Sequence, residues 1–285
     1  MKYMCFDIGG TKIKYGIIDE NYKILEKNQV DTNAYLGGKY IVEKVIEITN
    51  SYKEKYTLDG IAISTAGVVD AQTGTIIYAN DIIPNYTNVC LSKVVSEKTG
   101  LFTTVENDVN CFALSHILSV DTDFLMVAIG TGIGGAIVID KKIYHGITNS
   151  AGEFGQMVIN FKRFEEVASV SALVRYAQNL GLNVNSGIEV FNLYDNKDDK
   201  ATQAVNFFLE NLAMGLLNLS YIFNFPKIIL GGGITNRPTF LSELMEKIQL
   251  LENKPYNKSE IIVSQNTNDG GMLGALVHHL NFKKN

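Results

Sequence analysis

Apolar and polar residues follow two rhythms along this chain, a period of two and a period near 3.6, separated by glycine-rich turns. Residues 3–8 form a near-continuous apolar run, the pattern of a strand buried on both faces. The run enters Asp7-Ile8-Gly9-Gly10-Thr11, then a second strand over 13–18, a turn at Asp19-Glu20-Asn21 and a third strand over 23–30. The spacing of Ile41, Val45, Ile48 and Tyr52 predicts a helix over 40–52. A strand over 58–64 follows, ending in the small-residue turn Ser64-Thr65-Ala66-Gly67. Next come a hairpin of 68–70 with 75–78, a polar loop over 79–88, a helix over 91–98 with Gly100 as C-cap, and a strand over 101–105.

From residue 121 the opening layout repeats. A strand over 124–129 enters Gly130-Thr131-Gly132-Ile133-Gly134-Gly135, and a strand over 136–140 follows. Helices are expected over 169–179, 187–194 and 199–223. A strand over 227–230 then leads into Gly231-Gly232-Gly233-Ile234-Thr235, followed by a helix over 239–250, a strand over 261–264 and a small-residue helix over 270–280. A hinge is expected around 110–120, with the last helix packing back near it.

Length and composition narrow the class. The chain has 285 residues, which suits two domains, and its 46% apolar and 19% charged residues mark a globular protein. A net charge of -5 argues against a nucleic-acid partner, which needs a basic face. Its three cysteines, Cys5, Cys90 and Cys111, form no pair motif, which points to a reducing compartment. The N-terminal apolar run is short and meets Asp7, and no apolar run approaches a membrane span, so a cytoplasmic protein without a signal peptide is expected.

Two kinds of segment carry candidate chemistry. Gly9-Gly10-Thr11 lies between two strands, unlike the strand–turn–helix of a Rossmann or P-loop motif. Such a turn is either an ordinary hairpin or a cradle in which backbone N–H groups approach a phosphate. Asp7 would then stand where it could hold Mg²⁺ through water. The run 130–135 repeats the motif with four glycines in six residues, so two facing hairpins could clamp a polyphosphate. Asn107-Asp108 sits where a strand gives way to a helix, the place where open α/β sheets put ligands. The same residues are also preferred helix caps.

Taken together, these segments resemble the ROK sugar kinases, within the actin/hexokinase-like ATPase superfamily. The resemblance rests on five motifs in family order: residues 7–11, 106–110, 130–135, Ala151-Gly152-Glu153-Phe154-Gly155, and 231–235. It implies an α/β, two-domain actin-like ATPase (ribonuclease H-like) fold with an interdomain cleft. The implied domains are 1–115, joined by the helix 270–283, and 116–269. It implies that Asp7, Gly9, Gly10, Thr11, Lys12, Gly130, Thr131, Gly132 and Gly134 hold the ATP phosphates, and that Gly231, Gly232 and Gly233 line the adenosine pocket. Asn107, Asp108, Glu153, Gln156 and Glu165 would bind the sugar, with Asp108 as general base and ATP and Mg²⁺ as cofactors. A homodimer is implied as well. Closure on the sugar would exclude water as a competing acceptor.

Two departures bear on specificity. Gln156 stands where family members often have His, and the family's zinc loop of cysteines is absent. Residues 157–164 contain no cysteine, so no zinc site is expected. The pattern 231–240 looks most like the β-glucoside kinase branch, with an N-acetylmannosamine kinase as the alternative. Of the other classes, a sugar-sensing regulator would lack a DNA-binding domain here, because the phosphate hairpin begins at residue 7. An actin-like ATPase without sugar chemistry is disfavoured by Asn107, Asp108 and Glu153.

Overall fold

The structure, a computed structural model, describes residues 1–79, 83–252, 256, 259–266 and 269–283. Residues 80–82 of the loop expected over 79–88 lie outside them. The chain forms two compact units. The first comprises Met1–Asp121, His145–Ser150 and Asn266–Asn285, and the second Thr122–Tyr144 and Ala151–Gln265.

In the first unit, Lys2–Ile8 (β1), Lys12–Asp19 (β2) and Ile24–Asp31 (β3) form an antiparallel meander. After the helix Gly37–Lys53 (α1), the strand Gly60–Thr65 (β4) pairs parallel to β1. Val68–Asp70 (β5) and Thr75–Tyr78 (β6) make a separate hairpin, and Leu91–Thr99 (α2) follows. Thr103–Asn107 (β7) pairs parallel to β4 and gives the sheet order β3-β2-β1-β4-β7. Asp108–Leu114 (α3) completes this stretch, and the helix Gly270–Phe282 (α9) returns to it from the end of the chain.

The period of two explains how this sheet is covered. Met4, Phe6 and Ile8 of β1 pack in the core shared with Ile41, Val45 and Ile48 of α1 and Val95 of α2. Tyr3 and Cys5, one residue out of phase, pack with Cys111 of α3 and Met272, Ala275 and Leu276 of α9. Asp7 shares the Tyr3–Cys5 phase and so lies on the α3–α9 side, at the carboxyl end of a central strand.

The second unit repeats the order. Phe124–Ile129 (β8), Ile133–Ile139 (β9) and Lys142–Ile143 (β10) form the meander. Then come the hairpin Val158–Ile159 (β11) and Lys162–Arg163 (β12) and the helices Phe164–Ala168 (α4), Val170–Asn179 (α5), Gly187–Asp195 (α6) and Asp199–Phe223 (α7). Lys227–Gly231 (β13) pairs parallel to β8, Phe240–Leu251 (α8) follows, and Glu260–Val263 (β14) pairs parallel to β13. The order β10-β9-β8-β13-β14 matches that of the first sheet strand for strand. The echo between the two glycine hairpins is therefore an echo of whole sheets.

Two expectations shift. The turn after β8 is shorter than the glycine run suggested. Gly134 and Gly135 belong to β9, paired with Ala128 and Val127. A Cβ on Gly135 would strike the Phe154 ring and the Gly152 carbonyl, so that glycine serves close packing. The helix expected over 169–179 is preceded by α4, because Ser169 accepts the Ala172 N–H and restarts the helix as a cap.

Candidate functional site

The first unit gathers its polar residues at the carboxyl ends of β1, β4 and β7. Asn107 ends β7 in an extended conformation (φ -61°, ψ 148°) and caps α3. Its Oδ1 accepts the N–H groups of Val109 (2.9 Å) and Asn110 (3.0 Å). Its Nδ2 donates to Gly67 O and to Asp108 Oδ1, both at 2.9 Å. Capping and site geometry are thus the same set of bonds, and they leave Asp108 Oδ2 outside the cap. Two small residues, one at the end of β4 and one just beyond it, have partners here. Gly67 receives Asn107, and Ser64 Oγ donates to Asp7 Oδ1 at 2.9 Å.

Asp7 is enclosed between that serine and Lys14, whose Nζ lies 3.8 Å from Oδ2. Burial raises its carboxyl, and the Ser64 bond and Lys14 charge oppose the rise. Asp108 is half-buried as a residue, and its carboxyl is pushed up to about 6. Burial is the larger cause and the charge of Asp7 the next, against the N–H of Val109 and the amide of Asn107. A carboxylate so placed is poised to take a proton near neutral pH. In a reaction that uses Asp108 as its base, the acid limb of kcat/KM would fall with a midpoint near pH 6. Activity would be full above that value and lost as Asp108 protonates below it. A limb near the ordinary aspartate value would take Asp108 out of the base role.

The turn between β1 and β2 closes with one bond, Gly9 N–H to Lys12 O at 3.0 Å, and Thr32 braces it by donating from Oγ1 to Gly9 O at 2.7 Å. Lys12 is bound to Asp31 (2.7 Å), and the lysine beside Asp7 is Lys14. In the second unit, Gly130 N–H donates to Gly132 O (3.0 Å), and Val170 N–H at the start of α5 donates to Gly130 O (2.9 Å).

Beside that turn lies a cavity of about 850 Å³. Gly130, Thr131, Val170, Val174, Phe191 and Ile234 are among the residues that line it. Its size and apolar walls with a few polar groups suit a nucleoside. Gly233 lines it, whereas Gly231 ends β13 and Gly232, at φ 103°, packs against the backbone of Ile129. Arg237 fixes one wall. It is held by Asp195 (2.7 and 2.8 Å) and Glu243 (3.0 Å) and lies over the Phe191 ring at 4.7 Å.

Glu153, Gln156 and Glu165 also belong to the second unit. Gln156 Nε2 donates to Glu165 Oε1 at 3.2 Å, and Arg163 lies 3.5 Å from the same oxygen. Glu153 is exposed, yet partial desolvation and the Glu165 charge raise its carboxyl. Residues 157–164, where the family's cysteines would fall, hold the β11–β12 hairpin. Lys14, Ser64 and Arg163 carried no role in the sequence reading. Lys14 and Ser64 meet Asp7 across strands, where no local pattern announces them, whereas Arg163 has its partners two and three residues on, at Glu165 and Glu166.

Paired α/β sheets of one topology, each with a glycine turn after its first strand, define the class: this is the two-domain actin-like ATPase fold. The chain belongs to the ROK family, which it matches over residues 3–280. It is 33% identical to a β-glucoside kinase of Listeria innocua, over 98% of each chain. A ROK family protein from Streptococcus pneumoniae, solved with sucrose, superposes with a TM-score of 0.89 at 28% identity, covering 100% of this chain and 99% of the other. A ROK family glucokinase from Streptomyces griseus, solved with glucose and AMPPNP, gives 0.79 at 25% identity, covering 96% and 98%. No helix among the described residues is long and apolar enough to cross a membrane.

Proposed function

We propose that the protein is an ATP-dependent sugar kinase that transfers the γ-phosphoryl group to a hydroxyl of a hexose or hexose-containing glucoside. The observation that carries this reading is Asp108: a carboxyl raised to about 6, pinned by Asn107 at a strand-to-helix corner. Phosphoryl transfer to an alcohol needs such a group to accept the hydroxyl proton. In this reading Asn107 and Asp108 of the first unit bind the acceptor and Asp108 takes its proton; in the second unit Glu153, Gln156 and Glu165 are the proposed acceptor ligands. The nucleoside occupies the 850 Å³ cavity of the second unit, where Thr131 and Gly132 direct backbone N–H groups at phosphate oxygens, and in the first unit Gly10 and Thr11 have the same role.

The carboxylate of Asp7 fits Mg²⁺ held through water, since Mg²⁺ takes one or two carboxylates and leaves its other positions to water and phosphate. Bound there, it would neutralise phosphate charge in the transition state. The donor set does not fit zinc, for want of cysteine between 157 and 164. Activity should survive a zinc-selective chelator and still require Mg²⁺. Stoichiometric zinc in the purified protein would contradict this reading.

The acceptor reading favours a β-glucoside, supported by the 33% identical Listeria relative. ADP release should be measured over glucose, N-acetylmannosamine, fructose, allose, cellobiose and aryl β-glucosides. Stimulation is expected, greatest with β-glucosides. Brisk ADP release without sugar, unchanged by any of them, would place the protein with actin-like ATPases instead.

A further inference from the structure

Glu106 opens the 106–110 segment and has no role in the kinase reading. It is fully buried, and donors converge on both its oxygens. Oε1 accepts the backbone N–H of Asn107 at 2.7 Å and Nδ2 of Asn110 at 3.0 Å. Oε2 accepts Nε2 of His145 at 2.7 Å, with His278 Nδ1 a further 3.8 Å contact. His145 is distant in sequence. It opens the stretch His145–Ser150, which clusters with the first unit although the residues before and after it belong to the second.

The bonds run in series. His145 donates to Glu106, Glu106 accepts Asn107 N–H, and the Asn107 amide donates to Asp108 Oδ1. A carboxylate taken out of water is costly unless its oxygens are filled, and removing one partner strands the charge. Burial alone would push Glu106 toward its protonated form, but the His145 bond and the charges of both histidines hold it below the ordinary value. Burial likewise disfavours a charged His145, and the Glu106 bond and charge, with that of Asp70, outweigh it. Each favours the charged form of the other.

We infer that His145 is a positioning residue. Through Glu106 it holds the Asn107–Asp108 corner in the geometry that phosphoryl transfer requires. The proposal rests on the kinase reading for its consequence, but the bond series stands apart from it. A lost corner would leave Asp108 misaimed, while Glu153, Gln156, Glu165 and the nucleoside cavity are untouched, so the effect falls mainly on kcat.

Three variants of the full chain test this. His145→Leu removes the donor, His145→Gln keeps an amide N–H near the place of Nε2, and His145→Asn withdraws it along a shorter side chain. In steady-state kinetics with the best sugar, His145→Leu should lower kcat about 10–100-fold, the scale on which outer partners of functional groups act. KM for sugar and for ATP should stay close to wild type, and His145→Gln should recover most of the loss. Should His145→Leu fail to fold, His145→Asn takes its place in the comparison with His145→Gln. Hydrogen exchange gives a readout independent of turnover: the Asn107 amide should exchange about tenfold faster or more without the donor. Wild-type kcat in the donor-less variant overturns the positioning role even if exchange accelerates. Unchanged exchange overturns the bond series. Failure of the kinase reading would show itself separately, as no sugar-dependent turnover in the wild-type protein.

Discussion

Asp108→Asn should reduce turnover by roughly 10²–10⁴-fold, the range of general acid–base catalysis, while leaving sugar and ATP binding nearly intact. The amide can still accept Val109 N–H through Oδ1, which Asp108 does at 2.9 Å, so the first turn of α3 survives. What it cannot do is take a proton from a hydroxyl. Stability should move the other way. The carboxyl of Asp108 is raised from 3.8 to about 6 in the folded state. A raised carboxyl favours folding below its unfolded value, and that contribution is lost as pH rises through the folded value. At pH 7 to 8 the wild type carries the penalty of an ionised Asp108 near Asp7, and the variant does not. Asp108→Asn should melt no lower than wild type there, and any advantage should fade in acid. An inactive variant that also melts early would mean disruption of α3 in place of loss of a base. Near-normal turnover would remove Asp108 from the mechanism.

Gly274→Ala should be the most damaging single methyl added to the first unit. A Cβ at this position would overlap the carbonyl oxygen of Cys111 in α3. That oxygen belongs to the backbone and cannot rotate aside, so α9 or α3 must move. Overpacking of this kind costs about 1–3 kcal/mol, and a backbone obstacle puts it at the upper end. The transition that reports the first unit should fall by roughly 4–12 °C, at about 2–4 °C per kcal/mol for domains of this size. Because Cys111 is three residues from Asp108, turnover should fall with it. Gly271→Ala gives the contrast. Its Cβ would meet the Asp7 carboxylate at 2.5 Å, a side chain able to swing, so folding should be spared more than activity. Thermal melting and kcat of the two variants check both statements. A wild-type melt for Gly274→Ala would contradict the close packing of α9 on α3.

Local pattern carried the strands, helices and glycine turns well because each is set by neighbours in sequence. The two rhythms predicted β1, β2 and β8 within a residue or two, and α7 at its observed bounds. Where the reading slipped, a distant partner decides. The expected strand over 101–105 runs instead to Asn107, because Ser64 and Thr65 of β4 pair with Glu106 and Asn107. Gly134 and Gly135 look like turn residues until Phe154 is seen against the strand they occupy. Lys12 and Lys14 are equivalent by composition, and only the fold gives Asp31 to one and Asp7 to the other. Asn107 is legible as a cap and as a candidate ligand, and its Oδ1 bonds bear out the cap. The Glu106–His145 bond spans 39 residues with no periodicity between them, so nothing local could have announced it.

The account stands on transfer of phosphoryl to a sugar at Asp108, and the direct measurement is of the acceptor itself. Wild-type protein and Asp108→Asn are incubated with ATP, Mg²⁺ and cellobiose or an aryl β-glucoside, and the sugar is analysed by mass spectrometry. The wild type should convert it to a species heavier by one phosphoryl group, with ADP formed in equal amount, and the variant should leave it unmodified over the same interval. ADP formed without any phosphorylated sugar, or equal product from the Asp108→Asn variant, would contradict the account.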